Sequence, residues 1–155
     1  MIKKLNNKNE ETSCEIRSLF QASYRIEAEL LNATDFPPLK RKLVDFLNSD
    51  TEFYGLYRGN EIAAIIEVKT YKNKTDIESL VVHPEYFRQG LGKQLMQFIL
   101  NTFDSEIFTV ETGLENEPAT KLYKHLGFQE QAQWDTEFGI RKIKFTKTKH
   151  NKELL

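Results

Sequence analysis

The residue pattern predicts one mixed α/β domain (α+β) with elements in the order β-α-α-β-β-β-α-β-α-β-β and a sheet that is antiparallel in part and parallel in part. Three observations predict it. Strand-like runs follow one another at Phe53 to Tyr57, Ile62 to Tyr71 and Asp76 to Val82, separated by short polar turns, as in an antiparallel meander. Strand and helix patterns then alternate, which calls for a parallel neighbour somewhere in the sheet. The chain has 155 residues, enough for one hydrophobic core and too few for two.

Taken in order, Ile2 and Leu5 read as a first strand, and Thr12 with Glu15 forms a T-x-x-E capping box that opens a helix. Ile16, Leu19, Phe20, Tyr24 and Leu31 recur at helical spacing until Asn32 and the Asp35, Pro37, Pro38 cluster break the run. Leu39, Leu43, Val44, Phe46 and Leu47 suggest a second short helix. In the meander, Ile62 to Val68 is almost wholly apolar, so this middle strand is expected to be covered on both faces. Pro84 stops the third strand, after which Leu91, Leu95, Ile99 and Phe103 repeat every fourth residue and mark an amphipathic helix. Ile107 to Thr112 reads as a strand, and Ala119, Leu122, Tyr123 and Leu126 as a helix closed by Gly127. Phe128 to Trp134 and Ile140 to Phe145 finish as a hairpin around Glu137 to Gly139. The domain core is expected at about residues 1–146, with a basic tail over 147–155.

Hydrophobic residues make up 39% of the chain and charged residues 29%, a globular balance that excludes a disordered or fibrous chain. The formal charge of -1 argues against nucleic acid as a partner. One local basic excess, Arg141, Lys142, Lys144, Lys147, Lys149 and Lys152, reads as a solubilised edge strand and a frayed terminus. Cys14 stands alone, so no internal disulfide is expected; it reads as a small helix-face residue, and no paired spacing suggests a metal site. No segment reaches the roughly 20 apolar residues of a membrane span, and the start lacks the apolar stretch of a secretory signal. These points predict a cytoplasmic protein without a membrane partner.

The most informative stretch is VVHPEYFRQGLGKQL, Val81 to Leu95, where a strand ends, turns and opens a helix at Gly90 and Gly92. The first N–H groups of a helix have no partner within it, and the helix dipole adds positive charge there, so such a turn suits a phosphate or pyrophosphate. Arg88 and Lys93 flank it as further cations. Two nucleotide motifs fail on spacing: Leu95 stands where a dinucleotide fingerprint wants a third glycine, and Gln94 where a P-loop wants Ser or Thr.

The passage Val82-His83-Pro84 followed by Phe87-Arg88-Gln89-Gly90-Leu91-Gly92 resembles motif A of the GNAT superfamily of N-acetyltransferases, with Phe87 where that family usually has Arg or Gln. A second stretch, ETGLENEPATKLYKHLGF, is similar to the family's downstream N-x-x-A-x-x-L-Y-x-x-x-G-F pattern through Asn116, Ala119, Leu122, Tyr123, Gly127 and Phe128. The resemblance covers nearly the whole chain. It implies that the loop from Phe87 to Lys93, with the backbone of Leu80, Val81 and Val82, holds coenzyme A, and that Asn116 hydrogen-bonds its pantetheine arm. The strands carrying Val82 and Thr112 must then part at their ends, and one N–H of Val81 or Val82 would face the thioester oxygen. Acetyl-CoA is the implied co-substrate, with no metal.

Acetyl transfer to an amine needs a deprotonated nitrogen, a polarised thioester carbonyl and a proton for the departing thiolate. By resemblance Glu111 is the expected base and Tyr123 the expected acid, with Glu78 as the second candidate base; Asp76 and Glu67 are expected at the surface. His83 is read as an ordinary residue before Pro84, and His125 as an exposed residue near a helix C-terminus. The alternative function is a coenzyme A-binding module that has lost catalysis and acts as a sensor. The acceptor, a small-molecule or peptide amine, is expected among Tyr24, the 32–38 loop and residues 134–139, where Asp35, Asp135 and Glu137 would favour a cation. A monomer and a homodimer both fit the sequence.

Overall fold

The computed structural model describes residues 1–149. The elements follow the predicted order: β1 (Ile2–Leu5), α1 (Glu10–Leu30), a 3₁₀ turn (Pro37–Lys40), α2 (Leu43–Leu47), β2 (Glu52–Arg58), β3 (Glu61–Thr70), β4 (Lys74–Val82), a second 3₁₀ turn (Pro84–Tyr86), α3 (Leu91–Thr102), β5 (Ile107–Gly113), α4 (Glu117–His125), β6 (Gln129–Asp135) and β7 (Arg141–Thr148). The start of α1 differs from the expected capping box. Asn9 is the N-cap, its side-chain oxygen accepting the Thr12 N–H at 2.9 Å, and Glu10 and Glu11 place negative charge in the first turn.

One seven-stranded sheet runs β1-β2-β3-β4-β5-β7-β6, with helices on both faces. Alternate side chains of β2 and β3 feed two separate cores. Leu56, Ala64 and Ile66 pack with Leu91, Leu95, Met96 and Ile99 of α3, whereas Phe53 and Ile65 pack with Ile16, Leu19 and Phe20 of α1 and Phe46 of α2. β3 is therefore covered on both sides, as its apolar run predicts. Each fully buried Phe or Ile contributes about 1.5 to 3 kcal/mol.

The basic stretch is not an edge strand. β7 lies between β5 and β6, and β6 forms the edge, because the final hairpin folds back so that its second strand meets β5. Its cations have structural partners: Arg141 pairs with Asp135 at 2.9 Å, Lys147 donates to the Leu126 carbonyl at 2.8 Å, and Lys149 pairs with Asp104. Lys152 and the rest of the expected tail lie outside the described residues, apart from Lys147 to Lys149.

The feature that positions the site is the single parallel pairing. β4 and β5 pair only from Lys74–Ile107 to Ile77–Val110. Past that point they part, β4 remaining with β3 as far as Val82 and β5 with β7 as far as Gly113. Two local causes accompany the split. Glu67 pairs with Ser79 and Val68 with Ile77, leaving Glu78 as the extra residue of a β-bulge, which bends the strand. Leu31, at the end of α1, also presses on the end of β5, where a Cβ on Gly113 would lie 2.6 Å from its Cδ2.

Candidate active site

The parted strands open into a cavity of about 550 Å³. Ile77 to Leu80 of β4 and Val110 to Gly113 of β5 form its floor. Tyr24 and Glu27 of α1, the Phe36 to Pro38 turn, Tyr123 of α4, and Phe138, Ile140 and Lys142 of the hairpin close the sides. Three segments expected around an acceptor, at Tyr24, residues 32–38 and residues 134–139, thus meet here. Two of their acids already carry counter-ions, Asp35 with Lys40 and Asp135 with Arg141.

The glycine turn lies beside this cleft. Gly90 is the N-cap of α3 with φ +76°, a left-handed conformation that glycine adopts without a Cβ clash, and no side chain caps the helix. The Gln94 N–H bonds back to the Gly90 carbonyl, so the N–H groups of Leu91, Gly92 and Lys93 precede the helical ladder and are free to face an anion. Arg88 is also left-handed, at φ +64°, a strained state for a residue with a Cβ. Gly92 packs beside Leu80 and Leu122, where an added Cβ would lie 3.5 Å and 3.6 Å from their Cδ2 atoms. Leu80 therefore connects the turn to the cavity. Phe87 is exposed.

Backbone alternation decides which amides line the split. His83 N–H donates to the Ala63 carbonyl of β3, so the Val81 N–H also points to β3, and those of Leu80 and Val82 point into the gap. Val82 N–H donates to Ser23 Oγ at 3.3 Å. Val81 N–H is thus turned away from the gap between β4 and β5.

Glu78 and Glu111 stand on either side of the vertex, each one residue past the last β4–β5 pair. Burial raises the Glu78 carboxyl above the ordinary range, and the charges of Asp76 and Glu67 raise it further. Glu111 is exposed and faces Lys144 across the β5–β7 ladder. Tyr123 is 4% exposed, between the rings of Phe128 and Phe145, and burial with the nearby charge of Glu27 raises its phenol. Asn116 is the N-cap of α4. Its carbonyl accepts the Ala119 N–H at 3.3 Å, while its amide nitrogen donates to Glu27 Oε1 at 2.6 Å and Thr112 Oγ1 at 3.3 Å.

Three acids differ from the sequence expectation or escaped it. Glu67, expected at the surface, is 2% exposed: Arg41 Nη1 and Nη2 donate to its two oxygens at 2.7 and 2.9 Å, and Thr51 and Ser79 hydroxyls add bonds at 2.6 and 3.0 Å. Asp76, also expected at the surface, is half-buried and accepts from Thr109 Oγ1. Glu27 escaped notice, although it continues the apolar stripe of Phe20, Tyr24 and Leu31; an acid within such a stripe was the available signal. Burial raises its carboxyl, while the Asn116 hydrogen bond and the charge of Lys142 lower it in part.

The two histidines among the described residues stand outside this cavity. His83 Nδ1 accepts the Glu85 N–H at 3.1 Å, which caps the second 3₁₀ turn, and His125 is exposed at the end of α4. Cys14 is exposed on α1. Among the described residues, no three His, Cys, Asp or Glu side chains gather as a metal site requires, and no helix is long and apolar enough to cross a membrane.

Residues 14–128 match the sequence profile of the acetyltransferase (GNAT) family. The chain belongs to that family. It is 32% identical over 130 residues to the UPF0157 protein YqkA of Bacillus subtilis, a match that covers 83% of this chain and 38% of that protein. This chain thus spans about two fifths of that relative. Among solved structures, it resembles the ribosomal-protein-S18-alanine N-acetyltransferase of Escherichia coli with a TM-score of 0.75 and 19% identity, covering 96% of this chain and 92% of that one. It also resembles the PaiA N-acetyltransferase of Thermoplasma acidophilum in complex with coenzyme A, with a TM-score of 0.71 and 18% identity over 93% and 96% of the two chains. These two likenesses show the fold alone.

Proposed function

We propose that this protein transfers acetyl from acetyl-CoA to a primary amine by direct attack. The carrying observation is the cleft between β4 and β5, which has unpaired helix amides at one side and an ionisable cavity at the other. The pyrophosphate of the co-substrate fits the free N–H groups of Leu91, Gly92 and Lys93, with Arg88 and Gln89 of the loop beside it; Phe87 contributes backbone alone. The amide-rich pantetheine arm fits the gap edge of β4 as an added strand would. Leu80 and Val82 are the residues whose N–H groups face it, and one of them polarises the thioester carbonyl. Asn116 orders the far wall. The E. coli S18-alanine enzyme and the coenzyme-bound Thermoplasma structure support this reading by their likeness.

The chemistry follows from the cavity. Tyr123 gives its phenolic proton to the sulfur as the C–S bond breaks, since its ring is fixed by Phe128 and Phe145 and its hydroxyl has no protein partner among the described residues. Glu111 and Glu78 flank the vertex, and a carboxylate lining this cavity takes the acceptor's proton directly or through water. Acceptors are primary amines, small or at the end of a peptide, for which the apolar sides and acidic floor provide a site.

Mixing the protein with acetyl-CoA and a panel of amines will release free thiol, with acetylated product seen by mass spectrometry. Coenzyme A binding without turnover across the panel would replace this reading with that of a sensor module.

A further inference from the structure

Glu27 is a carboxylate that the interior leaves half-used. Its Oε1 takes the Asn116 amide at 2.6 Å, and Asn116 is itself fixed to α4 and β5 through Ala119 N–H and Thr112 Oγ1. This ties the carboxylate to the α4 side of the parted strands, although it comes from α1 on the opposite face. Among the described residues Oε2 has no partner and no fully buried side-chain oxygen lacks one, so Oε2 opens to the cavity that Glu27 lines. Among the described residues no cation lies within ion-pair distance of Glu27: Arg41 is engaged with Glu67, and Lys142 acts from further off. Glu27 is half-buried and feels the charge of Lys142 only from across the cavity, so an incoming ammonium would supply a close counter-charge.

We infer that Glu27 Oε2, fixed by Asn116 in the cleft beside Tyr123, contacts the acceptor's ammonium and takes its proton. The inference rests on the acetyltransferase reading above and deepens it, moving the base from the strands to the first helix. The proton balance closes. Glu27 removes one proton from the ammonium and later releases it to solvent, and the neutral nitrogen attacks the carbonyl carbon. As the C–N bond forms and the C–S bond breaks, Tyr123 protonates the sulfur and recovers a proton from the nitrogen. The groups that face Glu27 across this space are Tyr24 on its own helix, Tyr123 on α4, Lys142 on β7, Glu78 and Glu111 on the strands, and Arg41 on the loop. Burial holds the Glu27 carboxyl above its usual range, closer to the pH at which a base works best.

The test is Glu27→Gln, which keeps the Asn116 bond and removes the charge. With an alkyl primary amine, kcat is expected to fall by about 10² to 10⁴-fold, and the acidic limb of the pH–rate profile to move up to the ionisation of the amine itself. With hydroxylamine, which is unprotonated at neutral pH, the variant is expected to keep most of the wild-type rate. The coenzyme A dissociation constant and the thermal midpoint at pH 7 are expected not to worsen, and the surface change Glu29→Gln serves as a control on the same helix. An unchanged rate with the alkyl amine would overturn the assignment, as would an equal loss with both nucleophiles. If the wild-type protein binds no coenzyme A and acetylates neither nucleophile, the acetyltransferase reading itself fails.

Discussion

Glu67 and Glu27 are both acids carried inward on largely apolar elements, yet they end in opposite states. Glu67 receives four donors, two from Arg41, and the guanidinium in turn lies 4.1 Å from the centre of the Phe46 ring. Glu27 receives one neutral donor and shows its other oxygen to a cavity. The first arrangement pins the segment after α1 to β3 and β4; the second leaves a charge with only Lys142 acting on it across the cavity. A fully paired buried acid serves the fold, and a half-paired one facing a cavity is left for a ligand.

The comparison breaks most sharply under truncation. Glu67→Ala leaves Arg41 without its partner and is expected to cost about 3 kcal/mol, read from the denaturant midpoint at unchanged slope. Glu27→Gln should do the reverse. A folded-state carboxyl held above its unfolded value of about 4.3 contributes no penalty below that pH and lowers stability as pH rises through the folded value. The variant's stability should therefore match wild type near pH 4 and equal or exceed it at pH 7, and melting curves at the two pH values check the sign. A deficit at pH 7 alone would make Glu27 a structural acid like Glu67.

Tyr123→Phe comes next. Its hydroxyl has no hydrogen-bond partner among the described residues, so folding should be spared while thiol release slows by about 10²-fold with coenzyme binding retained. Gly90→Ala is the smallest effect, because the added Cβ meets no neighbouring atom but must sit at φ +76°. About 1 kcal/mol of stability is expected to go, together with a several-fold weaker coenzyme A affinity from the displaced amides.

Much of this was legible in the chain. Periodicity gave every strand and α-helix but neither 3₁₀ turn, and two motifs singled out the glycine turn and the Asn116 to Phe128 helix. Strand order was not legible: nothing local tells Arg141 to Thr148 that it will lie inside the sheet, so its lysines read as edge protection. The parting of β4 and β5 is set by a bulge at Glu78 and by Leu31 against Gly113, contacts made only in three dimensions. Glu67 needed Arg41, 26 residues earlier, to explain it. Glu27 was visible as an acid on an apolar stripe, but its meaning depended on Asn116, 89 residues later.

The most direct test of the whole account is a calorimetric titration of the wild-type protein with coenzyme A. A single saturable site, weakened in Gly90→Ala and preserved in Glu27→Gln, is the predicted result. An absence of binding heat over a range of temperatures, with no shift of the melting midpoint by the coenzyme, would contradict it.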